Sequence, residues 1–92
     1  MIGYANCEFI LYDTQSLKEK RAVLQRVLTR TKQKFNVSVS EIDFQDSWQR
    51  TKIGFVAISS SKVQTERELN NTLKFLDSFP EIERTLTSYE WF

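Results

Sequence analysis

Between Ile2 and Tyr12 the side chains alternate, with Ala5, Cys7, Phe9 and Leu11 on one side and Tyr4, Asn6, Glu8, Ile10 and Tyr12 on the other. A period of two over this length predicts a β-strand with one drier face. Asp13-Thr14-Gln15 then makes a polar turn. Ser16 followed three places later by Glu19 is a capping box, in which each side chain serves a backbone N–H of the other, so a helix should start at Ser16. At about 100° per residue, Leu17, Val23, Leu24, Val27, Leu28, Thr31 and Phe35 gather on one arc, and Lys18, Arg21, Arg26, Arg30 and Lys32 on the opposite one. Lys20 falls inside the apolar arc, the placement of a lysine snorkelling at a core edge.

Asn36 is a plausible helix stop. Val37, Val39, Ile42 and Phe44 follow at spacings of two, three and two, which predicts a strand with a bulge near Ser40-Glu41. Thr51–Ser60 is rich in β-branched and aromatic residues and reads as a third strand, joined by the short Gln45–Arg50 connection of a hairpin. Ser61 with Gln64, or Thr65 with Glu68, could cap a second helix carrying Leu69, Leu73 and Leu76 and ending near Ser78, ahead of Pro80. Ile82–Phe92 alternates again, as a fourth strand. Strand, helix, strand, strand, helix, strand is the split βαβ order. Right-handed crossovers place both helices on one face of a four-stranded antiparallel sheet. The expected architecture is therefore α+β, a ferredoxin-like βαββαβ sandwich, formed by residues 1–92 as one domain. Its other face is open, and Tyr4, Ile10, Tyr12, Tyr89 and Trp91 on that face would make a surface apolar enough to need a partner.

Composition adds little until it is resolved along the chain. With 92 residues, 40% of them hydrophobic, there is enough for one core and not for two. The lone Cys7 cannot close an internal disulfide, which fits a reducing compartment, and Ile2–Tyr12 lacks the basic leader of a signal peptide. No stretch reaches the roughly 20 apolar residues of a membrane span. The expected location is the cytoplasm, with no membrane partner. The net charge of +1 conceals a segregation. Ser16–Phe35 holds Lys18, Lys20, Arg21, Arg26, Arg30, Lys32 and Lys34 against Glu19 alone, a net +6, while the remaining six basic and eleven acidic residues give −5.

Ser16-Leu17-Lys18-Glu19-Lys20-Arg21, the stretch from Val39-Ser40-Glu41 through Asp46-Ser47-Trp48-Gln49-Arg50, the Phe-Pro-Glu-Ile-Glu-Arg segment at 79–84 and the aromatic end together resemble the YlxP-like family of small uncharacterised bacterial proteins. The resemblance spans nearly the whole chain. It implies a ferredoxin-like fold and a bacterial cytoplasmic protein. Members tend to be encoded among genes for translation initiation and ribosome maturation, which implies an association with RNA or the ribosome.

The chain contains no histidine, which removes the commonest general base and transition-metal ligand and with it any Ser-His-Asp or Cys-His site. Cys7 sits on the drier side of its strand, as a packing residue. Glu41, Asp43 and Asp46 lack the spacing of an EF-hand, and neither Gly3 nor Gly54 opens a phosphate-binding helix, so no metal or other cofactor is expected. Aligned on Phe55, the third strand carries Ile53 where an RNA recognition motif has a stacking aromatic, which argues against base readout on the sheet. Trp48 in the hairpin connection could cap the core or contact a ligand. Three functions remain. The first is a non-enzymatic accessory factor touching structured RNA or the ribosome through Lys18, Lys20, Arg21, Arg26, Arg30, Lys32 and Arg50. The second is a protein-interaction module or homodimer using the open sheet face. The third, an enzyme built on Lys20, Glu41 or Asp46, rests only on their being polar.

Overall fold

A computed structural model describes residues Met1–Phe92. The elements are β1 (Ile2–Leu11), α1 (Leu17–Lys34), β2 (Ser38–Asp43), β3 (Arg50–Ile58), α2 (Lys62–Asp77) and β4 (Ile82–Trp91). The strands form one antiparallel sheet in the order β2-β3-β1-β4, and both helices cover the same face, as the sequence order predicts. β1 sits centrally. Its odd-numbered Ala5, Cys7, Phe9 and Leu11 are buried under the helices with Ile53, Phe55 and Ala57 of β3, and Leu24, Val27, Leu69, Leu73 and Leu76 close the core from above.

Both helix starts obey the capping logic. The Glu19 amide donates to Ser16 Oγ (3.1 Å), but the Glu19 carboxylate reaches one residue further back than expected, accepting from the Gln15 amide (2.8 Å). Ser61 caps α2 by accepting from the Gln64 amide (3.1 Å). Thr65, the alternative cap, is instead buried inside the helix, its hydroxyl donating to the Ser61 carbonyl (3.0 Å).

Two bulges steer the edge strands. In β2 the register slips between Glu41 and Asp43, making Ile42 the extra residue, close to the expected position. In β4 it slips where Glu8 faces Leu86 and Phe9 faces Arg84, making Thr85 the extra residue. The alternation of β4 gives no sign of this second bulge, which corrects the expected placement of Tyr89 and Trp91 on the open face. A one-residue insertion exchanges the two faces of everything beyond it. Tyr89 therefore lies opposite Ala5 and Trp91 opposite Gly3, both on the helix-covered face. Gly3 suits this packing, because a Cβ there would stand 2.7 Å from both Trp91 Cζ3 and Thr65 Cγ2 and would force them to shift. What β4 contributes to the open face is Glu83, Leu86, Ser88 and Glu90.

The open face follows from the register. Its end row is Ile58–Ile2–Phe92, linked by backbone hydrogen bonds between Ile2 and Phe92 (3.2 and 2.9 Å). The next is Ser38–Val56–Tyr4–Glu90. Tyr4 and Ile42 then close over Gly54, whose absent Cβ leaves room for their side chains. Towards the other end the rows become charged, with Asp43–Lys52–Glu8–Leu86 and then Arg50–Ile10–Glu83.

Candidate functional site

α1 is the only concentrated source of positive charge, so the candidate site is its outer surface together with the β2–β3 connection that abuts its N-terminal end. The sequence of α1 dictates a division of labour among the cations. Leu24, Val27 and Thr31 are buried, and on the same arc Lys20 is 1% exposed. Lys20 is thus not available to a partner, contrary to its inclusion among the RNA-contacting residues. Its stem fills the core edge, and its ammonium donates to the Phe44 carbonyl (2.5 Å) and pairs with Glu41 Oε2 (3.1 Å). The same carboxylate accepts from the buried Thr51 hydroxyl (2.7 Å). A buried charge persists only when paired and hydrogen-bonded in this way, so Lys20 and Glu41 lock α1 to β2 and to the loop that follows.

Arg26 is engaged as well, by Glu81 ahead of β4, although both side chains are more than a third exposed. Lys18, Arg21, Arg30 and Lys32 are all exposed, and none has a carboxylate within 4.0 Å. Lys34 lies over the Phe75 ring, 4.9 Å from its centroid. The free cations form two flanks. Arg21 and Lys32 line a shallow groove of about 480 Å³ towards β2, whereas Arg30 lies with Arg26 beside Ala22, Gln25, Thr29 and Gln33 on another part of the helix surface.

The connection between β2 and β3 is held firmly. Phe44 adopts a left-handed backbone (φ 62°), a conformation costly for a bulky residue. Its amide donates to Asp43 Oδ1 (2.7 Å), and its carbonyl accepts from Lys20 and from the Ser47 amide (3.0 Å). The Trp48 carbonyl accepts from the Thr14 hydroxyl (2.5 Å), the Gln49 carbonyl from the Leu11 amide (2.9 Å), and the Gln49 side chain donates to the Thr14 carbonyl (3.3 Å). Trp48 does not cap the core, since it is 53% exposed. Arg50 projects its guanidinium over the Phe44 ring at 4.0 Å and pairs with Glu8 (2.9 Å).

A family model described as "Protein of unknown function (DUF503)" matches residues 2–89. The chain belongs to the DUF503 family. A curated relative, "Uncharacterized protein YlxP" of Bacillus subtilis (strain 168), is 67% identical over 92 residues, covering 100% of both chains.

The other anticipated residues divide by location. Tyr4 and Ile10 are half-buried in the open face of this DUF503 chain, and Tyr12 lies just beyond β1 with its hydroxyl donating to Glu83. That bond raises the phenol's pKa above its ordinary value. Tyr89 and Trp91 lie on the other side of the sheet, Trp91 under Lys62 at 5.2 Å. Glu41, Asp43 and Asp46 do not converge, because Glu41 turns to Lys20 and Asp43 to its own neighbour's amide. The Lys20–Glu41–Thr51 lock was missed by sequence reasoning, although its signal was present in a lysine on the apolar arc and a glutamate inside an alternating strand. No helix is long and apolar enough to cross a membrane.

Proposed function

We propose that this protein is a non-enzymatic accessory factor that docks on structured RNA, with ribosomal RNA as the partner, through the exposed cations of α1. The observation that carries this reading is the unneutralised state of Lys18, Arg21, Arg30 and Lys32 in a molecule whose remaining residues are net acidic. Internal carboxylates have taken Lys20 and Arg26 and left these four, together with Lys34, whose ammonium lies over the Phe75 ring. Like charges held on one helix repel by a few tenths of a kcal/mol per close pair, and phosphates relieve that repulsion while releasing counterions. Contact would be to phosphate positions and helix shape, without reading of base edges. The place of action is the cytoplasm. Filter binding to a ribosomal RNA fragment at low salt should give a complex. Replacing Arg30 and Lys32 by Glu should abolish it while the folded circular-dichroism spectrum is retained. Undiminished binding by that variant would refute the reading.

The Ile58–Ile2–Phe92 row supports a second reading, self-association through the open sheet face. Ile58 and Phe92 are 67% and 71% exposed. Four strands about 4.8 Å apart and about nine residues long offer roughly 600 Å² in projection, near the ~800 Å² per partner of a stable complex. Sedimentation should then show a dimer that Ile58→Glu converts to monomer. A monomeric mass at high concentration would dispose of this reading. The two surfaces lie on opposite sides of the sheet and do not compete.

A further inference from the structure

Trp48, 53% exposed in the β2–β3 connection, remains unexplained by a helix that grips phosphates. Indoles are enriched at contact surfaces, and binding residues are disproportionately found on loops positioned by a rigid scaffold. Here the loop is pinned at Phe44 by Lys20, at Trp48 by Thr14 and at Gln49 by both Leu11 and Thr14. Thr14 precedes the α1 N-cap by two residues, so Trp48 stands at the end of α1 that carries Lys18 and Arg21. We propose that Trp48 is a stacking platform for one unpaired nucleobase of the RNA whose phosphates α1 holds. This rests on the RNA-docking reading and narrows its substrate to RNA with an exposed, unstacked base.

Three features favour a base over other occupants. Aromatic stacking is indifferent to base identity and adds to a cationic track along the backbone, the combination by which single-stranded RNA is held. Because the platform is already rigid, little ordering entropy is spent on binding. Arg50, two residues after Trp48, commits its NH2 group to Glu8 while 56% of its side chain stays exposed, leaving N–H donors on the guanidinium that lies over Phe44. Asp13, next to Thr14 in the β1–α1 turn, and Asp46, two residues before Trp48, are exposed and repel phosphates, so the backbone is drawn to Lys18 and Arg21 instead.

The test uses the full chain with Trp91→Phe, leaving Trp48 as the only indole. Titration with a single-stranded RNA oligonucleotide should change Trp48 emission, whereas the duplex of the same sequence should bind in a salt-dependent manner without that change. Trp48→Ala should weaken single-strand binding about 5- to 150-fold and leave the salt slope unaltered, because no phosphate contact is lost. Trp48→Phe should retain most of the affinity. Single-strand binding by Trp48→Ala within twofold of the parent would overturn the platform while leaving docking by α1 intact. No salt-dependent complex with either RNA would overturn both.

Discussion

Lys20 shows how one side chain can serve structure among neighbours of the same charge. Its ammonium holds a left-handed Phe44 and neutralises Glu41, whose side chain is only 18% exposed. Lys20→Met should therefore cost about 3–5 kcal/mol in urea unfolding, chiefly from the uncompensated carboxylate. Adding Glu41→Gln should recover a large part of that loss, and a double variant as unstable as Lys20→Met would show that packing, not charge, is responsible. Cys7 yields a pH dependence. Burial, aided by Asp77, holds its thiol above the ordinary value of 9.0, against smaller lowering effects from Thr87 and Arg84. The fold keeps a proton that the unfolded chain releases near pH 9.0. Stability is thus complete below that pH and is lost as pH rises through the higher folded value. Unfolding midpoints should fall above pH 9, and Cys7→Ala should flatten the first part of that fall. An identical decline in the variant would rule the thiol out. Tyr12, also shifted upward from 10.0, acts later in the same direction.

Among the elements, α1 was legible because its apolar arc, its cap and its basic arc each depend only on neighbours three or four residues away. β1 was legible for the same reason at a period of two. β4 was legible as a strand but not in its facing, because Thr85 bulges only in answer to pairing with β1, a partner 77 residues away in sequence at the Thr85 hydroxyl's contact with the Glu8 carbonyl (3.3 Å). The destination of Lys20 could be narrowed to the core edge, but its partners on β2 and the following loop depend on tertiary packing. The corrected facing of β4 has a mechanical consequence at Gly3, where Trp91, Thr65 and Leu69 converge. Gly3→Ala should destabilise by about 1–3 kcal/mol through overpacking, measured by thermal unfolding. An unaffected midpoint would mean that Trp91 does not sit where the register puts it.

At the scale of the molecule, 42 × 22 × 16 Å across its principal axes, the sheet separates two surfaces of different character. On one side Lys18, Arg21, Arg30 and Lys32 of α1 stand exposed. On the other an apolar row grades into charged pairs. Lys18, Arg21, Arg30 and Lys32 should together neutralise about four phosphates, for which counterion release gives a slope near −3 in log affinity against log salt. The most direct measurement is the affinity for a ribosomal RNA fragment at 50 and 200 mM salt. A fall of about 50- to 150-fold is expected, and an affinity that is the same at both concentrations would contradict phosphate docking by α1.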